Sequence, residues 1–326
     1  MAELNIIEAV RSTLQEEMQR DPRVVVLGED VGVKGGVFLA TDGLYQAFGA
    51  GRVIDTPLAE SSIVGLAAGM AMNGLVPVAE IQFADFIHLA FNQIVNEAGV
   101  FRYRTNGDWE LPIVIRAPYG GAVSGALYHS QSVERYFMRP GLTVVIPSNP
   151  YDAKGLLRAA IRDPDPVLYF EHKKMYRMER QDVPDDDYIV PLGKARIARE
   201  GTDITVIGYG LMIAYALQVA QTLEGEGISI EVVDLRTVYP PDRETMLASV
   251  KKTGKVCIVY EDNLTGAAGA ETAAFLAEHA FHYLDAPIVR VGGLDVPAMP
   301  YAKPMEDLFM PNPEKIAQTL RKLAAH

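Results

Sequence analysis

Four consecutive apolar residues, Val24-Val25-Val26-Leu27, constrain this chain more than any other stretch. A run without polar alternation leaves no face for water, so the strand that it predicts is covered on both sides. Short β-branched or aromatic runs recur at Val53-Ile54, Val76 to Ile81, Ile113 to Arg116, Thr143 to Ile146 and Val167 to Phe170, and most end at Gly, Pro or an acidic residue. Helical spacing separates them at Ile6 to Met18, Ile63 to Met72, Phe86 to Gly99 and Ala153 to Ile161. Strands alternating with helices predict an α/β fold, a mostly parallel sheet flanked by helices.

The pattern then repeats. The acidic stretch Glu179-Arg180-Gln181-Asp182-Val183-Pro184-Asp185-Asp186-Asp187 reads as a linker, and a second α/β series follows it. Strands are expected at Asp203 to Gly208, Ile228 to Asp234, Val256 to Tyr260 and Ile288 to Val291. Helices are expected at Leu211 to Glu224, Arg243 to Val250 and Gly266 to Ala280. The chain has 326 residues, and a single core stops growing near ~250. Two domains are therefore expected, 1–187 and 188–326.

Charge and composition remove several function classes. A formal net charge of −12 argues against nucleic acid, whose phosphates need a basic face. The lone Cys257, inside the apolar run Lys255 to Val259, reads as a small core residue and implies no oxidising compartment. Residues 1–20 carry Glu3, Glu8, Glu16 and Glu17 and have no apolar centre, so they are not a secretory signal. No apolar stretch reaches membrane-spanning length. The expectation is a cytoplasmic protein.

Chemistry concentrates at a few places. Asp55-Thr56-Pro57-Leu58-Ala59-Glu60 ends a turn and opens an apolar run rich in Gly and Ala. Glu60 is either a charge that favours the helix dipole or a general acid/base tuned by burial. Gly120, Gly121, Ser124 and Gly125 lead into Tyr128-His129-Ser130-Gln131-Ser132, a Gly-rich loop presenting a histidine. His129 is either structural or a proton carrier. The serines do not fit a nucleophile elbow. Phe83, Asp85, Phe86 and His88 follow a strand end, where ligand sites of parallel sheets form, and equally fit a core. Gly208-Tyr209-Gly210 opens a helix after a strand, but Ile213 replaces the third glycine of the dinucleotide fingerprint. A tight turn without ligand is the better reading. Asp163 and Asp165 fit either a hard-cation site or a capped surface turn.

Taken together, these pieces resemble one family. Gly28-Glu29-Asp30-Val31-Gly32, the Asp55 to Glu60 stretch, Glu80-Ile81-Gln82-Phe83-Ala84-Asp85-Phe86 and His129-Ser130-Gln131-Ser132 are similar to the beta subunits of thiamine-diphosphate-dependent 2-oxoacid dehydrogenases. So are Tyr151-Asp152-Ala153-Lys154-Gly155, Val233-Asp234-Leu235-Arg236-Thr237 and Asp295-Val296-Pro297-Ala298-Met299-Pro300-Tyr301, in order along the whole chain. Phe101 to Trp109, Ala117 to Gly121 and Gly125 to His129 look most like the bacterial branched-chain members; pyruvate and acetoin members share the framework.

The resemblance implies a pyrimidine-binding domain followed by a transketolase-C-terminal-like domain. It implies a cofactor site shared with an alpha subunit, which holds the diphosphate and magnesium while this chain covers the aminopyrimidine. Glu60 matches the carboxylate that hydrogen-bonds the pyrimidine nitrogen, Leu58 and Phe86 match ring contacts, and Gln82 matches a polar neighbour. His129 matches the histidine that serves transfer of the acyl group to a lipoyl group. Ile113, Ala160, Ile161, Asp163 and Asp165 match positions around a structural potassium ion, with Asp165 where the family often carries Asn. The implied partners are the alpha subunit, a second beta chain, and the acyltransferase core with its peripheral subunit-binding and lipoyl domains. No Gly-Asp-Gly followed by a distant Asn is present, which sets the chain apart from a stand-alone transketolase-type enzyme.

Overall fold

The computed structural model describes residues 2–326. They form two compact units, one running to Tyr119 and resuming over Phe137–Leu192, the other made of Gly120–Tyr136 and Gly193–His326.

In the first unit, β1 (Ala2–Leu4), α1 (Ile6–Arg20), β2 (Val24–Gly28), α2 (Leu44–Phe48), β3 (Val53–Asp55), α3 (Glu60–Met72) and β4 (Val76–Glu80) come first. They are followed by α4 (Phe101–Arg104), β5 (Val114–Tyr119), β6 (Thr143–Val145), α5 (Pro150–Ile161), β7 (Val167–His172) and β8 (Gln181–Val183). The strands lie side by side in the order β6-β7-β5-β4-β2-β3. All of these pairs are parallel. Every residue of β2, β4, β5 and β7 is buried, as continuous apolar runs covered on both faces require. Helix α1 begins at a capping box: Asn5 accepts from the Glu8 N–H at 3.0 Å, and Glu8 returns the bond to the Asn5 N–H. Its apolar face, Ile6, Ile7, Val10, Leu14 and Met18, is buried, and it packs along α5.

Two expectations change here. The helix expected from Phe86 to Gly99 is instead a 3-10 turn over Ala84–Ala90 followed by a π-helical turn over Gln93–Ala98. The apolar positions are as expected, with Ile87, Ala90, Ile94, Val95 and Ala98 buried. Gly99, which closes the π turn, meets Gly141 at backbone distance: a Cβ on Gly141 would lie 1.7 Å from the Gly99 carbonyl oxygen. The acidic stretch expected as a linker is fastened to this unit. Gln181–Val183 pairs antiparallel with Ala2–Leu4. Arg158, fully buried on α5, donates to the Asp186 and Tyr188 carbonyls at 3.1 and 2.7 Å, and Arg162 meets Asp187 at 2.6 Å. The stretch is thus tied down through its backbone by a buried arginine and through the Asp187 side chain by Arg162, while its acidic side chains stay exposed.

In the second unit, β9 (Arg196–Arg199), β10 (Ile204–Gly208), α6 (Leu211–Glu224), β11 (Ile230–Asp234), β12 (Thr237–Tyr239), α7 (Arg243–Thr253) and β13 (Val256–Asn263) precede α8 (Ala268–His279), β14 (Val289–Gly293), α9 (Lys303–Phe309) and α10 (Pro313–Ala324). The sheet order is β14-β13-β10-β11-β9, parallel except for the antiparallel edge strand β9. Cys257 is buried in β13, and burial pushes its thiol up to about 12, which suits an inert core residue. Among the described residues no helix is long and apolar enough to cross a membrane.

One polar group is set deep in the first sheet. Arg116 of β5, without exposed surface, donates from Nη1 to Glu80 Oε2 of β4 and from Nε and Nη2 to both oxygens of Glu171 of β7, each at 2.6 Å. The Tyr176 hydroxyl donates to Glu171 at 2.6 Å. Burial alone would lower the guanidinium's pKa, yet the two carboxylates hold it above its ordinary value. Breaking a buried pair strands a charge, so Glu171→Gln should cost about 3–5 kcal/mol in urea unfolding. A loss under about 1 kcal/mol, the scale of an exposed pair, would contradict this account.

Candidate active site

The loops that carry the candidate residues leave the C-terminal ends of β2, β3 and β4, which is where parallel sheets form ligand sites. Two of these loops are locked together. The Gly32 N–H donates to Asp55 Oδ1 at 2.6 Å, and the Thr56 N–H donates to the Gly28 carbonyl at 2.9 Å. A Cβ on Gly32 would lie 2.3 Å from Asp55 Oδ2, so only glycine admits this approach.

Asp55 thereby fixes the turn that delivers Glu60 to the first position of α3. Glu60 is 5% exposed. Its Oε2 is buried and has no hydrogen-bond partner among the described residues. Leaving such an oxygen unmet costs about 1–3 kcal/mol, which a donor on a bound ligand would relieve. The Glu29 carboxyl sits within its electrostatic reach: burial first, then Asp30 and Glu60, raise its pKa. The 3-10 turn over Ala84–Ala90 packs against α3. That turn carries half-buried Phe86, whose ring meets Phe83 edge-on at 6.0 Å, and Phe83 meets Phe38 at 5.6 Å. Gln82 is half-buried, its amide nitrogen 3.5 Å from Asp30 Oδ2. Leu58, on the turn before Glu60, is 67% exposed. The first unit thus gathers a buried unmet carboxylate, an aromatic cluster, an exposed leucine and an amide. This donor set fits a flat heteroaromatic ring with one polar edge, and the orphaned Glu60 oxygen is the observation that makes it fit.

His129 belongs to the second unit, half-buried on a loop where Ala122, Ser124 and Ala126 all have positive φ, +59°, +55° and +58°. Each such residue costs of order 1–3 kcal/mol and persists only where its surroundings impose it.

The five positions expected near potassium lie at the turn that closes α5 and at the adjoining ends of β5 and β7. The Ile113 carbonyl accepts from the Val167 N–H at 3.0 Å, and the Ala160 carbonyl from the Asp163 N–H at 3.3 Å. Ile161 ends α5. Asp163 Oδ1 accepts from the Asp165 N–H at 2.9 Å, while Arg102 takes the Asp165 carboxylate at 2.6 Å. Among the described residues no group of three or more His, Cys, Asp or Glu is arranged to hold a metal.

Gly208-Tyr209-Gly210 is a turn tied to protein. The Tyr209 hydroxyl donates to Glu134 Oε1 at 2.8 Å, and Gly210 adopts φ +57°, ψ −136°, a glycine conformation. Glu134 was not singled out by its sequence context. Burial, then the charge of Asp262, push its carboxyl up to about 8, and burial pushes Asp262 up to about 6. Glu261 faces Glu134 as well. The folded protein therefore keeps a proton on Glu134 that an unfolded chain releases near 4.5. Its contribution to stability is complete below that value and declines as pH rises to about 8. Urea midpoints at low and high ends of this window should show a decline in the unsubstituted protein that Glu134→Gln flattens; equal declines would contradict the assignment.

The family model described as transketolase, pyrimidine binding domain, matches residues 2–179, and that of the transketolase C-terminal domain matches residues 193–316. The chain is 59% identical over 325 residues to 2-oxoisovalerate dehydrogenase subunit beta of Bacillus subtilis (strain 168), covering 99% of each. It is 46% identical over 324 residues to the pyruvate dehydrogenase E1 component subunit beta of the same organism, again covering 99% of each. Against the mitochondrial 2-oxoisovalerate dehydrogenase subunit beta of Dictyostelium discoideum it is 49% identical, covering 98% of this chain and 86% of that one. Among solved structures, a split-gene transketolase described as an inactive beta4 tetramer superposes with a TM-score of 0.80 at 26% identity, covering 99% of both chains. A transketolase mutant from Pichia stipitis shares the fold, with a TM-score of 0.71 at 16% identity over 100% of this chain and 46% of that one. The chain belongs to the transketolase-like family of beta subunits of thiamine-diphosphate-dependent 2-oxoacid dehydrogenases.

Proposed function

We propose that this chain is the beta subunit of the decarboxylating component of a branched-chain 2-oxoacid dehydrogenase, working in the cytoplasm with an alpha subunit as a heterotetramer of two alpha and two beta chains. The observation that carries the reading is the buried, unmet Glu60 oxygen at the start of α3, on the helix that packs against the turn carrying Phe86. The higher identity to a branched-chain relative than to a pyruvate one, 59% against 46%, supports the branched substrate class. The alternative is the same role toward pyruvate or acetoin.

Thiamine diphosphate, when bound, supplies the electron sink for decarboxylation. The residues of this chain then act as follows. Glu60, whose Oε2 has no donor among the described residues, would share a proton with the ring nitrogen of the aminopyrimidine. Leu58 and Phe86 cover the ring and exclude water, and Gln82 fixes its polar edge. The alpha subunit supplies the diphosphate and magnesium ligands, in keeping with the absence of a phosphate loop from this sequence. His129 carries a proton to the lipoyl sulfur that is released as the other sulfur takes the acyl group. The lipoyl group reaches the site on the acyltransferase core, whose peripheral subunit-binding domain docks on the assembly. Potassium, where bound, is held by the carbonyls of Ile113, Ala160, Ile161 and Asp163 with Asp165 nearby, as a structural ion.

Glu60→Gln, co-expressed with the alpha subunit, should assemble normally and lose decarboxylation by about 100-fold or more, the scale of a removed acid/base group. Near-normal turnover in that variant would sink the role of Glu60.

A further inference from the structure

The loop that presents His129 is held by two carboxylates from distant parts of the second unit. At its base the Gly120 N–H donates to the Gln131 carbonyl at 3.1 Å. Glu261, toward the end of β13, accepts from the Gly121 N–H at 2.5 Å and from the Ser132 hydroxyl at 3.3 Å. One oxygen of Glu261 thus ties both ends of the loop. Midway along, Glu306 on α9 accepts from the Ser124 N–H at 3.0 Å and from the Ser124 hydroxyl at 3.4 Å. Glu261 is 3% exposed and Glu306 has no exposed surface. Gly121 is wedged as well: a Cβ there would lie 2.6 Å from Met299 Cε and 3.2 Å from Met310 Sδ.

These anchors bracket the three residues at positive φ, a backbone that relaxes unless its surroundings impose it. A leucine would fill the Glu306 position at less desolvation cost than a carboxylate. What the carboxylate adds is a charge-assisted acceptor for the loop's N–H, about twice as strong as a neutral one. We propose that Glu261 and Glu306 are positioning residues for His129, holding the loop in the strained conformation that presents its imidazole for acyl transfer. The proposal rests on the reading of His129 given above.

The test uses the assembled alpha–beta complex with Glu306→Leu, Glu306→Gln and His129→Ala. Three quantities are read: amide hydrogen exchange over residues 121–132, acylation of a lipoyl domain, and decarboxylation with an artificial electron acceptor. Glu306→Leu should speed exchange of the loop and slow lipoyl acylation by about 10- to 100-fold, the effect of misplacing a reacting group by about an ångström. Dye-linked decarboxylation should stay within about twofold, the split that a fold defect would not give. Glu306→Gln keeps an acceptor and should recover most of the transfer. Unchanged exchange in Glu306→Leu, or equal losses in the leucine and glutamine variants, overturns the proposal. So does normal transfer in Glu306→Leu when His129→Ala is impaired, which leaves the reading of His129 intact. Normal transfer in His129→Ala removes that reading and this proposal with it. If Glu306→Leu does not assemble, Glu306→Met takes its place with the same expectations.

Discussion

Arg116 lies between two carboxylates without exposed surface, and the first unit's sheet is arranged around its guanidinium. Moving such a charge out of water costs several kcal/mol, and only near-ideal geometry with every lone pair engaged offsets it. The geometry is close to that: three bonds of 2.6 Å leave Arg116, and Tyr176 adds a fourth to Glu171. The group joins β4, β5 and β7 near their C-terminal ends, in a sheet whose strands are otherwise apolar. The chain that leaves β4 after Glu80 carries Gln82 and Phe86. The rigid edge on which these residues stand is set by the neighbouring ion group.

Carboxylates elsewhere are sorted by the same physics. Glu80 and Glu171 share a cation, Glu261 and Glu306 take backbone N–H groups, and Glu134 keeps its proton and accepts from Tyr209. Glu60 stands at the first position of α3 with a buried Oε2 that has no hydrogen-bond donor among the described residues, a state that Glu134 Oε2 shares. What distinguishes Glu60 is its place, on the helix that packs against the turn carrying Phe86, where the donor of a bound ring would meet its oxygen.

The sequence made the α/β class legible because β2 is apolar without interruption and the helices between strands keep their spacing. Glu60 was legible as a carboxylate at a helix start, but its missing partner was not, since that depends on what the fold brings near. The 3-10 and π turns after β4 were hidden because their apolar residues fall at spacings an α-helix would also bury. The acidic stretch 179–187 reads as a linker because its side chains are solvated, and what fastens it, Ala2–Leu4, Arg158 and Arg162, stands on other elements. Strands β1 and β8 pair across nearly the whole first unit, which no local pattern announces. Helix α10 is absent from the expectations although its sequence carries plain signals, Asn312 as its cap, Pro313 in its first turn and a buried face of Ile316, Ala317, Leu320 and Leu323. The anchors of the His129 loop were out of reach of sequence reasoning, because Glu261 and Glu306 lie far along the chain from Gly121 and Ser124.

The most direct test of the account is turnover by this chain co-expressed with its alpha subunit, with thiamine diphosphate and magnesium supplied, on 3-methyl-2-oxobutanoate and pyruvate side by side. The account predicts decarboxylation of both kinds of acid to be cofactor-dependent and the branched acid to be strongly preferred in kcat/KM. A preference for pyruvate would contradict the branched-chain assignment, and an assembled complex that turns over neither acid would contradict the proposed function as a whole.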